Sequence, residues 1–365
     1  MVSPGMLRKV KLSILKTGKA LGVFSMAMSS EWRRRRLLIL CYHGVSLADE
    51  HEWSPAMFVT LRQFRSRMQI IKERGCTVLP LGDAIQRLHS GTLPERSVAI
   101  TFDDGFYDFY TMAWPLLKEF SYPATVYLTT YHVDHWQWPV FDLMIGYALW
   151  KSRGRRLVWP EMLLDVTLDS EGRNQVQTLL QADCLRKGLS GAEKHGLLRD
   201  LCHRIDFDFA RAAANRILGL MSNDEIRRIA SEGADIQLHT HRHRVFARKE
   251  RFWQEIDDNR TRIRSVTQTA ASHFCYPGGY TLETFPEWLR EREIVSATTC
   301  HIGLAAPSTN PYLLPRLLDT AALTDDEFDA WLCGAAEFLP RQADTPHPSQ
   351  LGQEPEGPFR TAGGG

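Results

Sequence analysis

The sequence predicts an α/β protein, a parallel sheet whose strands are each followed by helix, and three observations carry that prediction. Short apolar runs alternate with helix-length segments from residue 37 to about 130, and again from 222 to about 300. Two adjacent carboxylates fall at the carboxyl end of one such run, where parallel α/β barrels place their working residues. With 365 residues, 44% of them hydrophobic, the chain can bury a full core, and α/β barrels of this length often form one domain.

Residues 37–42, Leu-Leu-Ile-Leu-Cys-Tyr, form an apolar run of the kind that makes a buried parallel strand, and 64–74 reads as a helix ended by Gly75. Residues 97–102 read as a strand, 107–120 as a helix and 124–129 as another strand, with Asp103-Asp104-Gly105 turning the first into its helix. From about 131 to 220 the pattern gives way to a Trp-rich, charge-rich segment with helices at 141–151 and 193–205, read as a helical insertion rather than a separate catalytic unit. Regular alternation resumes at Ser222-Asn223-Asp224-Glu225, a capping box opening a helix that Gly233 closes. Strand 235–238 then delivers His239. Phe274-Cys275-Tyr276-Pro277-Gly278-Gly279 ends another strand in a turn, and 293–298 reads as one more. No internal repeat is visible.

The two ends differ from the middle. Residues 1–36 hold nine basic residues (Arg8, Lys9, Lys11, Lys16, Lys19, Arg33, Arg34, Arg35, Arg36) against Glu31 alone, about +8 in a chain whose net charge is +1. The longest uncharged run there, 20–30, is far short of the roughly 20 apolar residues that span a bilayer. Leu7, Val10, Ile14, Leu21, Phe24 and Met28 recur at helical spacing, the pattern of a basic amphipathic helix lying on an anionic membrane. A solvated helix or a frayed terminus is the plainer alternative. A secretory leader fits poorly, because lysines interrupt the apolar stretch. Residues 340–365, rich in Pro, Gly and Gln, read as a disordered tail. The near-neutral total argues against a nucleic-acid-binding surface. Seven cysteines, odd in number and without Cys-x-x-Cys spacing, read as reduced core or site-lining residues. Compartment is left open, with membrane association expected and the cytoplasmic face favoured over the periplasm.

The chemistry lies in two short stretches, Thr101-Phe102-Asp103-Asp104-Gly105 and His239-Thr240-His241-Arg242-His243. One Asp with two His is the mixed ligand set with which a catalytic Zn²⁺, or another divalent metal, keeps a position open for water or substrate. The second carboxylate is then free to act as a base. Each piece alone has a plain reading, since Asp-Asp-Gly is usually a turn and a His pair is usually surface or core; together, after strands, they point to a metal site.

These stretches resemble the first two motifs of the polysaccharide deacetylases of the NodB-homology type, and residues 274–279 resemble the third, a groove wall. The similarity covers roughly 37–320, including Tyr42-His43-Gly44-Val45 and Leu314-Pro315-Arg316. The resemblance implies a distorted (β/α) barrel over 37–339, interrupted by the insertion at about 131–220, and metal-dependent removal of N-acetyl groups from an amino-sugar polymer or glycan precursor. It assigns Asp103 as general base and Asp104, His239 and His243 as metal ligands. It places the oxyanion near the backbone of Tyr276, Pro277 and Gly278. The family's usual Leu-x-His proton donor is missing, and His301 sits in the wrong context. Rearranged members supply that histidine from a Tyr-His-x-Val segment, which makes His43 the acid. Cys275 stands where the third motif often carries an Arg that orients the catalytic Asp, and Arg316 is the candidate substitute, set against a surface ion pair.

His241 and Arg242, in the motif's variable positions, are expected to face solvent, and Cys275 and Cys300 to pack the wall rather than bind metal. Trp136, Trp138 and Trp150 suit stacking on sugar faces or core packing equally. Two other function classes remain, a hydrolase of a small non-sugar amide and a non-catalytic glycan-binding protein, the latter disfavoured by the complete Asp-Asp and His-His set.

Overall fold

A computed structural model describes residues 4–339; the tail at 340–365 and the side chain of Leu7 lie outside the described residues. Eight strands form one parallel sheet: β1 (Leu38–Tyr42), β2 (Thr77–Val78), β3 (Ser97–Asp104), β4 (Thr125–Leu128), β5 (Asp235–Leu238), β6 (His273–Cys275), β7 (Ser296–Thr298) and β8 (Leu317–Leu318). Their spatial order is β7-β6-β5-β4-β3-β1-β8, with β2 pairing the start of β3. The segment 314–318 joins the two ends of this order. Leu314 bridges Thr298 of β7, and Leu317 and Leu318 pair with Leu40 and Cys41 of β1. The sheet therefore curls into a short, distorted (β/α) barrel.

Side-chain parity sorts each strand into two cores. Leu38, Leu40 and Tyr42 of β1, Val98, Ile100 and Phe102 of β3, and Val126 and Leu128 of β4 pack outward with the helices. The alternate residues, Leu37, Ile39, Ala99, Tyr127 and Cys275, form a smaller cluster on the other face of the sheet. Continuing the inner parity to the strand ends brings Cys41, His43, Thr101, Asp103 and His239 to one mouth.

Several elements differ in detail from expectation. β3 runs on through both carboxylates, so Asp103 and Asp104 end the strand rather than form a turn after it. The helix expected at 107–120 opens with a wide turn at Phe109–Ala113 before Trp114–Phe120. The strand expected from 293 begins only at Ser296, because Glu293 has φ 55° and Val295 turns outward, 56% exposed. The insertion has its own core, which includes Leu157, Trp159, Leu180, Leu198 and Leu201. Besides helices at Phe141–Lys151, Ser170–Lys187, Gly191–Arg204 and Phe209–Ala214, it contains an antiparallel pair, Arg156–Trp159 with Leu164–Thr167, which the sequence reading missed.

The N-terminal helices Pro4–Ala20 and Val23–Ser29 pack against the helix Asp325–Leu332. Leu15, Phe24 and Met28 are buried there, so Phe24 and Met28 of the expected membrane stripe serve the body instead. Much of the basic charge is also engaged internally. Arg8 donates to the Ala322 carbonyl, Lys19 pairs with Asp326 and Asp329, Arg34 with Glu95 and Arg35 with Glu31, and Arg33 is fully buried.

Candidate metal and catalytic site

The mouth of the barrel holds two interlocked groups of side chains, and backbone geometry separates them. Adjacent residues of a strand point to opposite faces, so Asp103 and Asp104 could not both face the mouth in regular β structure. Asp104 has φ 68°, a left-handed conformation that re-aims its carboxylate. Gly105 follows at φ 89°, where a Cβ would lie 2.3 Å from Leu128 Cδ1, so only glycine fits. Thr240 and His243 are also left-handed, at φ 59° and 55°. Three non-glycine residues in this conformation within the two motifs mark a backbone held against its local preference.

Asp104, His239 and His243 form the first group. Asp104 Oδ1 lies 3.4 Å from His239 Nε2 and 3.2 Å from His243 Nε2, and it is buried with no hydrogen-bond partner among the described residues. Two ligands each about 2.0–2.1 Å from one tetrahedral ion stand about 3.3 Å apart. Both Asp104 separations are therefore those a metal ion requires, and all three ligand atoms lie within 4.8 Å of one another. His239 Nδ1 lies 2.9 Å from the Cys275 carbonyl, which fixes the proton on Nδ1 and turns the Nε2 lone pair to the site.

The charges agree with that spacing. Burial lowers the His243 pKa to about 4 despite nearby Asp104, which leaves a neutral imidazole able to ligate. Burial alone would raise Asp104, but the His243 and His239 imidazoles hold it below the usual carboxylate range. Burial would likewise lower His239, yet Cys275 and the Asp104 carboxylate carry it well above its ordinary value.

Asp103 and Arg316 form the second group. Arg316 Nη1 donates to Asp103 Oδ1 at 2.7 Å and Nη2 to Oδ2 at 2.8 Å. The other donors go to the Thr299 carbonyl, Thr101 Oγ1 and Cys275 Sγ, so all five guanidinium N–H groups are satisfied. Arg316 thus meets the catalytic Asp candidate and is no surface ion pair. Burial would raise Asp103, but the guanidinium outweighs it and holds the carboxyl well below the usual range. Cys41 and Cys275 each bring Sγ within 3.5 Å of Asp103 Oδ2. Asp103, His239 and Cys275 also cluster closely enough to hold an ion. With Asp103 occupied by Arg316 and Cys275 against the same cation, the Asp104 set is the better-suited one.

His43 follows β1 on the inner parity, and its Nδ1 is buried without a partner among the described residues. It lies near enough to Asp103, Asp104 and His243 to influence their titration, which places it at the same mouth. Asp108 fixes this segment by accepting the Val45 N–H at 2.9 Å; a Cβ on Gly44 would meet that carboxyl at 2.7 Å and Phe58 at 2.5 Å.

Other residues behave differently from expectation. Tyr276 is fully buried in the outer core, stacked on Phe285 with its hydroxyl donating to the Tyr312 carbonyl, so its side chain is not groove wall. Its N–H goes to Thr298, and Gly279 and Tyr280 also donate within the turn. Gly278, exposed, is left as that turn's free N–H among the described backbone bonds. His241 is half-buried and belongs to neither group of candidate ligands. Its Nδ1 bonds Thr130 Oγ1 at 2.8 Å, and its carbonyl accepts from Tyr131 N at 2.7 Å. Arg242 pairs with the buried Glu255. Cys300 lies exposed beside the Gly279 turn, outside both groups of candidate ligands.

Sequence reasoning missed Asn259, which is wholly buried on the helix Lys249–Thr267. Its Oδ1 accepts from the His239 N–H at 2.9 Å, and its Nδ2 donates to the Leu128 carbonyl and Thr130 Oγ1. The signal was present, because Phe252, Ile256, Ile263 and Val266 make an apolar helical stripe that only Glu255 and Asn259 interrupt.

Comparison with known proteins agrees with this geometry. A sequence profile described as polysaccharide deacetylase matches residues 90–183 and 191–295, more than half of the chain. The poly-β-1,6-N-acetyl-D-glucosamine N-deacetylase of Staphylococcus epidermidis is 39% identical over 75 residues, 20% of this chain and 26% of that protein. The Staphylococcus aureus (strain MSSA476) protein of the same name is 29% identical over 139 residues, 38% of this chain and 48% of that one. The matches thus span less than half of these relatives' length. A Streptococcus pyogenes deacetylase in complex with acetate superposes with a TM-score of 0.55 at 16% identity, over 81% of this chain and 98% of that one. IcaB from Ammonifex degensii gives 0.52 at 18%, over 82% and 97%. These likenesses establish a shared fold.

Proposed function

The chain belongs to the polysaccharide deacetylase family, and we propose from that footing that it hydrolyses N-acetyl groups on an amino-sugar polymer or glycan precursor. The carrying observation is that a buried, Arg-clamped carboxylate stands next to a three-ligand metal set at one barrel mouth. Asp104, His239 and His243 would hold the ion, Zn²⁺ by ligand type, which when bound polarises a carbonyl and lets water ionise near neutral pH. Asp103, oriented by Arg316, takes the proton of the attacking water. The Gly278 N–H is the donor available in the third-motif turn to the oxygen of the tetrahedral intermediate. His43 gives a proton to the leaving nitrogen, so amide and water become amine and acetate.

Acetate release from N-acetylated oligosaccharides and lipid-linked sugars, with metal analysis of the same protein, tests this reading. Release that follows metal content is expected. Release only from small non-sugar amides would replace the substrate class, and glycan binding without release would replace the enzyme by a binding protein.

We also propose that the N-terminal helices rest on an anionic membrane surface. Val10, Ile14, Leu21, Val23 and Met26 are 48%, 53%, 74%, 44% and 74% exposed, an outward apolar patch opposite the buried Leu15 and Phe24 and in a segment of about +8.

A further inference from the structure

The three tryptophans of the insertion have different fates. Trp150 lies partly buried beside Tyr147, with the Arg153 guanidinium 4.6 Å from its ring centroid, and Trp136 lies under Arg216, which also covers Tyr107 at 3.8 Å. Trp138 is 37% exposed, and so is Tyr131.

These two rings belong to one row that starts at the metal loop. Tyr131 meets the His241 ring edge-on at 5.8 Å, and His135 lies 4.9 Å from Tyr131 and 5.7 Å from Trp138 at an interplanar angle of 26°. The largely buried His195 backs Trp138 at 4.5 Å. The row is held in register with the metal ligands, because Tyr131 N and Thr130 Oγ1 both bond His241, which lies between His239 and His243.

We propose that Tyr131 and Trp138 form a second sugar subsite, which takes a pyranose ring of the substrate chain beyond the unit whose acetyl group is removed. The inference rests on the deacetylase reading and extends it, since it makes the preferred substrate an oligomer rather than a single sugar. A pyranose presents an apolar C–H face that packs on an aromatic ring while its hydroxyls stay in water, which favours rings that are half open and rigidly backed. His195 and His135 supply the backing, and Thr130 and His241 fix the distance to the reaction centre.

The experiment compares wild type, Trp138→Ala, Trp138→Phe and Tyr131→Leu on N-acetylhexosamine oligomers from the monosaccharide to the hexasaccharide, with bound metal measured in each. Trp138→Ala is expected to raise KM for the longer oligomers about tenfold, equivalent to about 1.4 kcal/mol. Its kcat, its metal content and its kcat/KM for the monosaccharide should match wild type, and Trp138→Phe should recover most of the loss. An unchanged dependence of KM on chain length in both Trp138→Ala and Tyr131→Leu would overturn the subsite. Should Trp138→Ala fold poorly, the Phe and Leu variants decide. If wild type releases no acetate from any oligomer, the deacetylase reading fails by itself, and calorimetric titration with the same oligomers judges the subsite separately. Equal binding by wild type and Trp138→Ala, or none by either, then overturns it.

Discussion

Arg316 grips Asp103 through two parallel bonds of 2.7 and 2.8 Å, and both side chains are almost wholly removed from water. Removing one partner of such a pair leaves an uncompensated buried charge, which costs about 3–5 kcal/mol. Arg316→Ala should therefore lower stability by about that amount in denaturant titrations and cut turnover as well. Arg316→Lys keeps a charge but not the planar fork, and should recover stability only in part. An Arg316→Ala protein with wild-type stability would show that the pair is not formed.

The metal set should respond to a residue that touches no metal. Asn259 fixes the His239 backbone and the Thr130 hydroxyl that bonds His241. Loss of such outer support typically weakens metal affinity about 10–100-fold. Asn259→Ala is expected to bind metal that much more weakly in chelator competition, and His239→Ala not to bind it at all. Full stoichiometry in His239→Ala would remove His239 from the ligand set.

Asp103→Asn should keep its metal and lose nearly all turnover, because the base goes while Asp104, His239 and His243 remain. The pH dependence carries a sign. A carboxylate whose folded pKa lies below its unfolded value of about 3.9 contributes stability that is complete above that value and lost only as pH falls through the lower, folded pKa. Asp103 is such a group. The acid limb of kcat/KM between about pH 6 and 4 should then follow metal loss as the ligands protonate. Parallel measurement of bound metal and activity checks this, and activity that falls while metal stays would point back to Asp103.

His43→Ala should retain metal and lose about 10²–10⁴ in turnover, the range for a general acid or base. The basic limb of the pH–rate profile should change with it, since the proton donor is gone. Near-normal turnover would leave the acid unidentified.

Leu21→Glu and Met26→Glu should abolish sedimentation with anionic vesicles at low salt while melting temperature and acetate release stay unchanged, because both side chains point away from the body. Equal sedimentation by the variants would remove the membrane proposal. A change of oligomeric state by light scattering instead would identify the patch as a contact between copies.

Much of the barrel was legible because its strands are short apolar runs and its motif residues sit at their carboxyl ends. Phe141–Lys151 and Asp235–Leu238 match the residues expected, and the capping box at Ser222 and Glu225 forms. Other features depend on tertiary contacts that no local pattern encodes. The left-handed turn at Asp104 is unfavourable on its own and persists because the surroundings impose it. Tyr276 followed strand parity into the outer core, which a motif-based reading of 274–279 as groove wall overlooked. His241 is held half-buried by Thr130, 111 residues away in sequence. Phe24 and Met28 suit a lipid face and a protein face equally, and only the position of Asp325–Leu332 separates the two.

The closing segment of the barrel also sets an order in time. Asp103 leaves the ribosome long before Arg316, which stands 213 residues further on in the segment that links β1 to β7 and closes the barrel. Until that strand docks, the inner carboxylate has no guanidinium, and a long-range closure of this kind is slow because its loop entropy must be overcome first. A nascent or truncated chain ending before 314–318 can gather the metal-ligating side chains, yet it has neither a closed barrel nor an oriented base. On the proposed deacetylase reading, hydrolytic competence therefore waits for residues 314–318, and a product ending before them would lack the guanidinium that orients its base.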